Sequence, residues 1–98
     1  MIEIKKINDN EITATENQKI LGKIKYENEE KFKIIDIECN DSKIQDALFR
    51  AAFNIARLKE IRYISYEPTL KEYLLKFKYI ENGEDKIDII KLFSKCCV

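Results

Sequence analysis

Few side chains in this chain are equipped for chemistry. It has no histidine, which removes His-based triads, Cys-His dyads and imidazole metal ligands. Its cysteines are Cys39, Cys96 and Cys97. The adjacent Cys96-Cys97 lacks the C-x-x-C spacing of thioredoxin-type centres, and three cysteines with a carboxylate have no recognisable zinc spacing, so no metal is expected. Glu38 closes an alternating apolar run, where a carboxylate can serve as general base toward an amine; its alternation with Ile37 also suits plain solvent exposure. Cys39-Asn40-Asp41-Ser42-Lys43-Ile44 leads into a helical pattern. Amide N–H groups at a helix start bind anions, so Asp41-Ser42-Lys43 reads as a phosphate turn or, more simply, as a helix cap. Cys39 at its start is a reactive thiol or a packed structural one. Arg50, Asn54 and Arg57 share one helical stripe that suits an anionic partner or a solvated face.

Composition limits the setting for such groups. In 98 residues, 18 Lys+Arg balance 18 Asp+Glu, and 45% of positions are hydrophobic. That fits one domain, 1–98, with a single core. Zero net charge offers no electrostatic footprint for nucleic acid. No apolar run is long enough to span a membrane and the first residues lack a signal-peptide pattern, so a cytoplasmic protein with reduced thiols is expected.

The elements that must position these residues follow from periodicity. Ile2, Ile4 and Ile7 suggest a first strand, ended by Asn8-Asp9-Asn10. Glu11–Thr15, Ile20–Tyr26 and Phe32–Cys39 read as three more, with turns at Asn17-Gln18 and Asn28-Glu29-Glu30. The apolar parity switches at Ile34-Ile35, which implies a bulge or a strand buried on both faces. Ile44, Ala47, Leu48, Ala51, Ala52, Ile55 and Leu58 recur with helical spacing, and Ser42 with Gln45 fits a capping box, with Asp41 as the alternative cap. Ile61–Tyr66 reads as a short strand. Thr69 with Glu72 suggests a second capping box before Leu70, Tyr73, Leu74 and Phe77 on a shorter helix. Ile87–Phe93 reads as a last strand. The expected fold is α+β: an antiparallel strand meander followed by helix-strand-helix-strand, with one parallel βαβ crossover.

This order resembles the GCN5-related N-acetyltransferase (GNAT) fold in a minimal form. The stretches ENQKILGKIKYE, KIIDIECNDSKIQDALFRAAFNIARLKEIRYISYE and TLKEYLLKFKYIENGEDKIDIIKLF carry the resemblance, over roughly residues 11–93. It implies an acetyl-CoA site where two neighbouring strands splay apart, with Ile37, Cys39, Asn40, Asp41, Ser42, Lys43 and Ile44 in the cofactor position. It further implies acyl transfer to an amine, with Glu38 or a water as base and Tyr73 as the acid that protonates the leaving thiolate. The turn departs from the family's Q/R-x-x-G-x-G/A: it has no glycine, and Asp41 would repel pyrophosphate. Aligning Lys76-Phe77-Lys78-Tyr79 on the family's K-L-G-F puts Leu74 where members carry the acidic Tyr, with Tyr73 one residue away and Lys78 in place of glycine. The two helices that follow the family's first strand have no room in Asn8–Asn10. These departures favour a non-catalytic ligand-binding or protein-interaction module over an acyl-CoA-dependent N-acyltransferase. Such a module would form a homodimer or meet a protein partner through the exposed edge of its first or last strand. A thiol redox protein using Cys96-Cys97 is the third reading.

Overall fold

The alternating first forty positions build four antiparallel strands: β1 (Glu3–Asn8), β2 (Glu11–Glu16), β3 (Lys19–Asn28) and β4 (Phe32–Cys39). The computed structural model describes residues 2–28, 31–81 and 83–96, with side chains described as far as Phe93. Glu29 and Glu30 of the third expected turn lie outside the described residues, as do Asn82 and Cys97; the side chain of Cys96 does too. Asn17 and Gln18 have φ of 51° and 68°, the left-handed pair that a two-residue hairpin between right-twisted strands requires.

Helix α1 (Ser42–Leu58) then crosses to β5 (Tyr63–Tyr66), which pairs with β4 in parallel. A 3-10 turn (Pro68–Leu70), helix α2 (Lys71–Lys76), β6 (Ile87–Asp88) and helix α3 (Ile89–Cys96) complete the order. The strands lie β1-β2-β3-β4-β5-β6 in one mixed sheet. The fold is α+β, with the expected meander and crossover. No helix among the described residues is long and apolar enough to cross a membrane.

The parity switch in β4 resolves as a bulge. Lys25 and Tyr26 are consecutive on β3, but they face Asp36 and Ile34, so Ile35 is the extra residue. The bulge lets Ile34 and Ile37, three positions apart, both enter the core, at 0% and 8% exposure. Ile12, Ala14, Ile24 and Tyr26 share that face and meet Leu48, Phe49, Ala52 and Phe53 of α1. Burying each large apolar side chain contributes about 1.5–3 kcal/mol. The Tyr26 ring stacks on Phe32 at 4.9 Å. Its hydroxyl is buried with no hydrogen-bond partner among the described residues, so Tyr26 stabilises through its ring.

An aromatic cluster anchors the segment after α2. Tyr79 meets Phe53 edge-on at 4.9 Å and Phe49 at 5.7 Å, and its hydroxyl donates to the Asp46 carboxylate. The buried hydroxyl is satisfied by a residue on α1, which fixes where the chain lies after α2.

Three expectations change. The Thr69–Glu72 capping box does not form: Pro68 starts a 3-10 turn that places Thr69 inside it, and α2 has no side-chain cap. Ile61–Tyr66 is a strand only from Tyr63, because Ile61 is used in ending α1, where its N–H donates to the Ala56 carbonyl at 2.9 Å. The expected strand Ile87–Phe93 stops after two residues. Asp88 ends it by accepting from the Lys91 N–H at 3.2 Å, an N-terminal cap for α3. Burial pushes the Asp88 carboxyl up, but the amides of Lys91 and Ile90 and the guanidinium of Arg62 outweigh it and hold the group below its ordinary range.

Helices α1 and α2 end in the same motif. After α1, Glu60 N–H donates to Arg57 O at 3.0 Å and Ile61 N–H to Ala56 O at 2.9 Å; after α2, Lys78 N–H donates to Leu75 O at 3.1 Å and Tyr79 N–H to Leu74 O at 2.9 Å. These are Schellman ends, whose left-handed residue is usually glycine. Here Glu60 (φ 61°) and Lys78 (φ 62°) occupy it, at a cost of about 1 kcal/mol each. Glu60→Gly and Lys78→Gly are each expected to raise unfolding stability by about 1 kcal/mol in urea titrations; a loss of stability would contradict the assigned ends.

Candidate functional site

The turn from β4 into α1 is held by its own side chains. The Asp41 carboxylate accepts from the N–H of Lys43 at 2.8 Å and of Ile44 at 3.3 Å. Asp41 is therefore the N-cap, with extended φ and ψ of −106° and 122°. The expected Ser42–Gln45 box gives way to this alternative. Gln45, only 6% exposed, instead sends its side-chain N–H to the Cys39 carbonyl at 2.6 Å, so one buried amide closes the turn from inside.

Cys39 packs rather than projects. Its thiol donates to the Asp41 carbonyl at 3.5 Å, and it lies directly across the ladder from Gly22. A Cβ added at Gly22 would fall 2.7 Å from Cys39 Cβ, 2.8 Å from its Sγ and 2.9 Å from the Glu38 carbonyl. Glycine is required at 22 because the two strands approach too closely there for any side chain.

Beyond Ile34, β4 parts from its parallel neighbour. The pairing is confined to Lys33 with Ser65 and Ile34 with Tyr66, extended by the Glu67 N–H donating to Ile34 O at 3.0 Å. The neighbouring chain then turns away at Pro68, while β4 runs on to Cys39.

At that end of β4 lies an open groove of about 610 Å³. Ile37, Glu38, Cys39 and Asn40 line it together with Tyr73 of α2; Asp41, Ser42, Lys43 and Ile44 do not. The sequence-derived candidates thus divide. Glu38 and Tyr73 share one groove, while the turn residues beyond Asn40 serve the helix end. Glu38 is met by the Lys23 ammonium at 3.6 Å across the strand pair, with its side chain more than half exposed. An exposed pair of this kind contributes little to stability.

Thr13, Gly22 and Lys23 of β2 and β3 also line the groove. Sequence reasoning did not single them out for a site, because only the strand register brings them alongside Glu38. A second recess of about 300 Å³ is lined by Lys31, Phe32, Ile61, Tyr63, Ser65 and Lys86; these come from three separate stretches and carry no common motif. The basic stripe on α1 is engaged locally: Arg50 pairs with Asp46 at 3.0 Å, and Arg57 donates to Asn54 at 3.0 Å and lies 4.9 Å above the Phe93 ring. No cluster of three or more metal-ligating side chains occurs among the described residues.

Gly22→Ala is expected to lower unfolding stability by about 1–3 kcal/mol through overpacking against Cys39 and the Glu38 carbonyl. Adding Cys39→Ala should recover only part of the loss, because it removes Sγ and leaves the contacts to the Cβ of residue 39 and the Glu38 carbonyl; no loss in the single variant would refute the close approach. Protein families, curated proteins and solved structures were all compared with this chain, and none matched.

Proposed function

We propose that this chain is a degenerate GNAT-like domain working as a non-catalytic ligand-binding or protein-interaction module. Three features support the resemblance. A meander leads through a bulged β4 into a crossover helix, and β4 and β5 part after two paired residues. Lys78, aligned on the family's glycine, takes the left-handed φ of 62° that suits a glycine. The C-terminal segment departs from the resemblance, since it turns helical at Ile89.

The observation that carries the non-catalytic reading is the Asp41 carboxylate on the Lys43 and Ile44 amides. Donors that would cradle a pyrophosphate already hold an anion, and that anion is covalently part of the turn. Any phosphate must displace it and then lie beside its charge. Leu74, at the position the resemblance gives to the acidic tyrosine, is fully buried in the core.

The acyltransferase reading stays second on one observation: Glu38 and Tyr73 line the same groove. In that reading Glu38 takes a proton from the incoming amine and Tyr73 gives one to the departing CoA thiolate.

Calorimetric titration of the reduced protein with acetyl-CoA, with Asp41→Gly alongside, separates the two. The module reading expects no saturable heat up to about 1 mM in either protein. Binding near about 1 µM by the natural chain would overturn the account of a turn closed to phosphate and put the transferase first.

A further inference from the structure

β1 is the exposed edge of the sheet beside β2, and all six of its residues are exposed. Ile4 and Ile7 are 37% and 57% exposed, and Ile2 just before the strand is 44% exposed. An edge strand presents unpaired N–H and C=O groups to any second strand that can match it. The opposite edge, β6, has only two residues before α3 begins, too short to serve as a template.

The faces of β1 follow from its register. Ile4 lies across from buried Ala14, and Lys6 across from buried Ile12, so both sit on the α1 face; Glu3 and Lys5, opposite Thr15 and Thr13, sit on the outer face. Residues directly opposite in an antiparallel pair share a face. A two-fold axis perpendicular to the sheet preserves those faces when a second copy is added.

We propose that β1 pairs antiparallel with β1 of a second copy of this chain, in the register that places Ile4 on the two-fold axis. Glu3 of each copy then stands opposite Lys5 of the other, twice over, on the outer face. Ile4 meets its own copy on the α1 face, and Ile2 lies along the stem of Lys6. Shifting the strands to put Lys5 on the axis sets like charges face to face, and centring Glu3 does the same. Opposite-charge cross-strand pairs stabilise and like pairs destabilise, so the charge pattern selects one register of the three. The irregularity between Lys6 and Asn8 ends the regular edge and limits pairing to its first residues. The inference rests on the interaction-module reading and names its partner.

The test uses mass in solution. A single strand pair is a small interface, so light scattering is read at about 100 µM. The natural chain is expected at twice 11.6 kDa. Glu3→Lys and Lys5→Glu, checked for folding by circular dichroism, are each expected at monomer mass. An equimolar mixture of the two should return to dimer mass, because a copy with two lysines then faces one with two glutamates. A monomeric natural chain overturns the proposal, as do single variants that stay dimeric or a mixture that stays monomeric. Acetyl-CoA titrated into the same samples keeps the two ideas apart. A monomer that ignores acetyl-CoA sinks the dimer and leaves the module reading, whereas tight acetyl-CoA binding by a dimer puts the transferase reading first and leaves the dimer standing.

Discussion

The Asp41 carboxylate on the Lys43 and Ile44 amides is the contact on which the start of α1 depends and on which the proposed function rests. It starts α1, the helix that covers the sheet and carries Leu48, Phe49, Ala52 and Phe53 into the core. An unsatisfied helix start would leave amide donors seeking an anion. Satisfied from within, the same start has its Lys43 and Ile44 amides already engaged. Gln45 reaching back to the Cys39 carbonyl and Gly22 yielding space to Cys39 reinforce that end of the sheet. β3, β4 and the start of α1 are thereby tied together at a tight turn.

The groove beside this turn has a different character. Its walls are residues of β2, β3 and the far end of β4, with Tyr73 of α2 beside them. Its candidate groups, Glu38 and Tyr73, come from the central strand and from α2. Glu38 is paired with Lys23 rather than standing as an isolated base, and Glu11 adds a second carboxylate to the groove. This is the surface on which a ligand would be sought, while the open edge strand β1 lies on the far side of β2.

Much of the fold was legible in the residues. Alternation placed four strands, helical spacing placed α1, and the parity change at Ile34-Ile35 marked the bulge, because each signal is local and strongly periodic. The last element was not. Ile87 and Ile89 alternate like a strand, yet Ile89, Leu92, Phe93 and Cys96 equally fit a helix. The Asp88 cap decided between them. The two Schellman ends were hidden because Glu60 and Lys78 stand where glycine would have flagged them. Of the site, Glu38 was placed on chemical grounds and Tyr73 through the family resemblance. Thr13 and Lys23 were not, since strand register alone brings them near. Asp41 was readable as a cap from its position, and its distances determine what else the turn can hold.

The central claim is that the start of α1 is already occupied by its own anion. Its most direct test is the amide spectrum of the isotopically labelled protein, recorded with increasing inorganic pyrophosphate. The account predicts that the Lys43 and Ile44 amide resonances stay in place up to about 1 mM, because Asp41 holds those donors. Saturable movement of those two resonances at lower concentrations would contradict it.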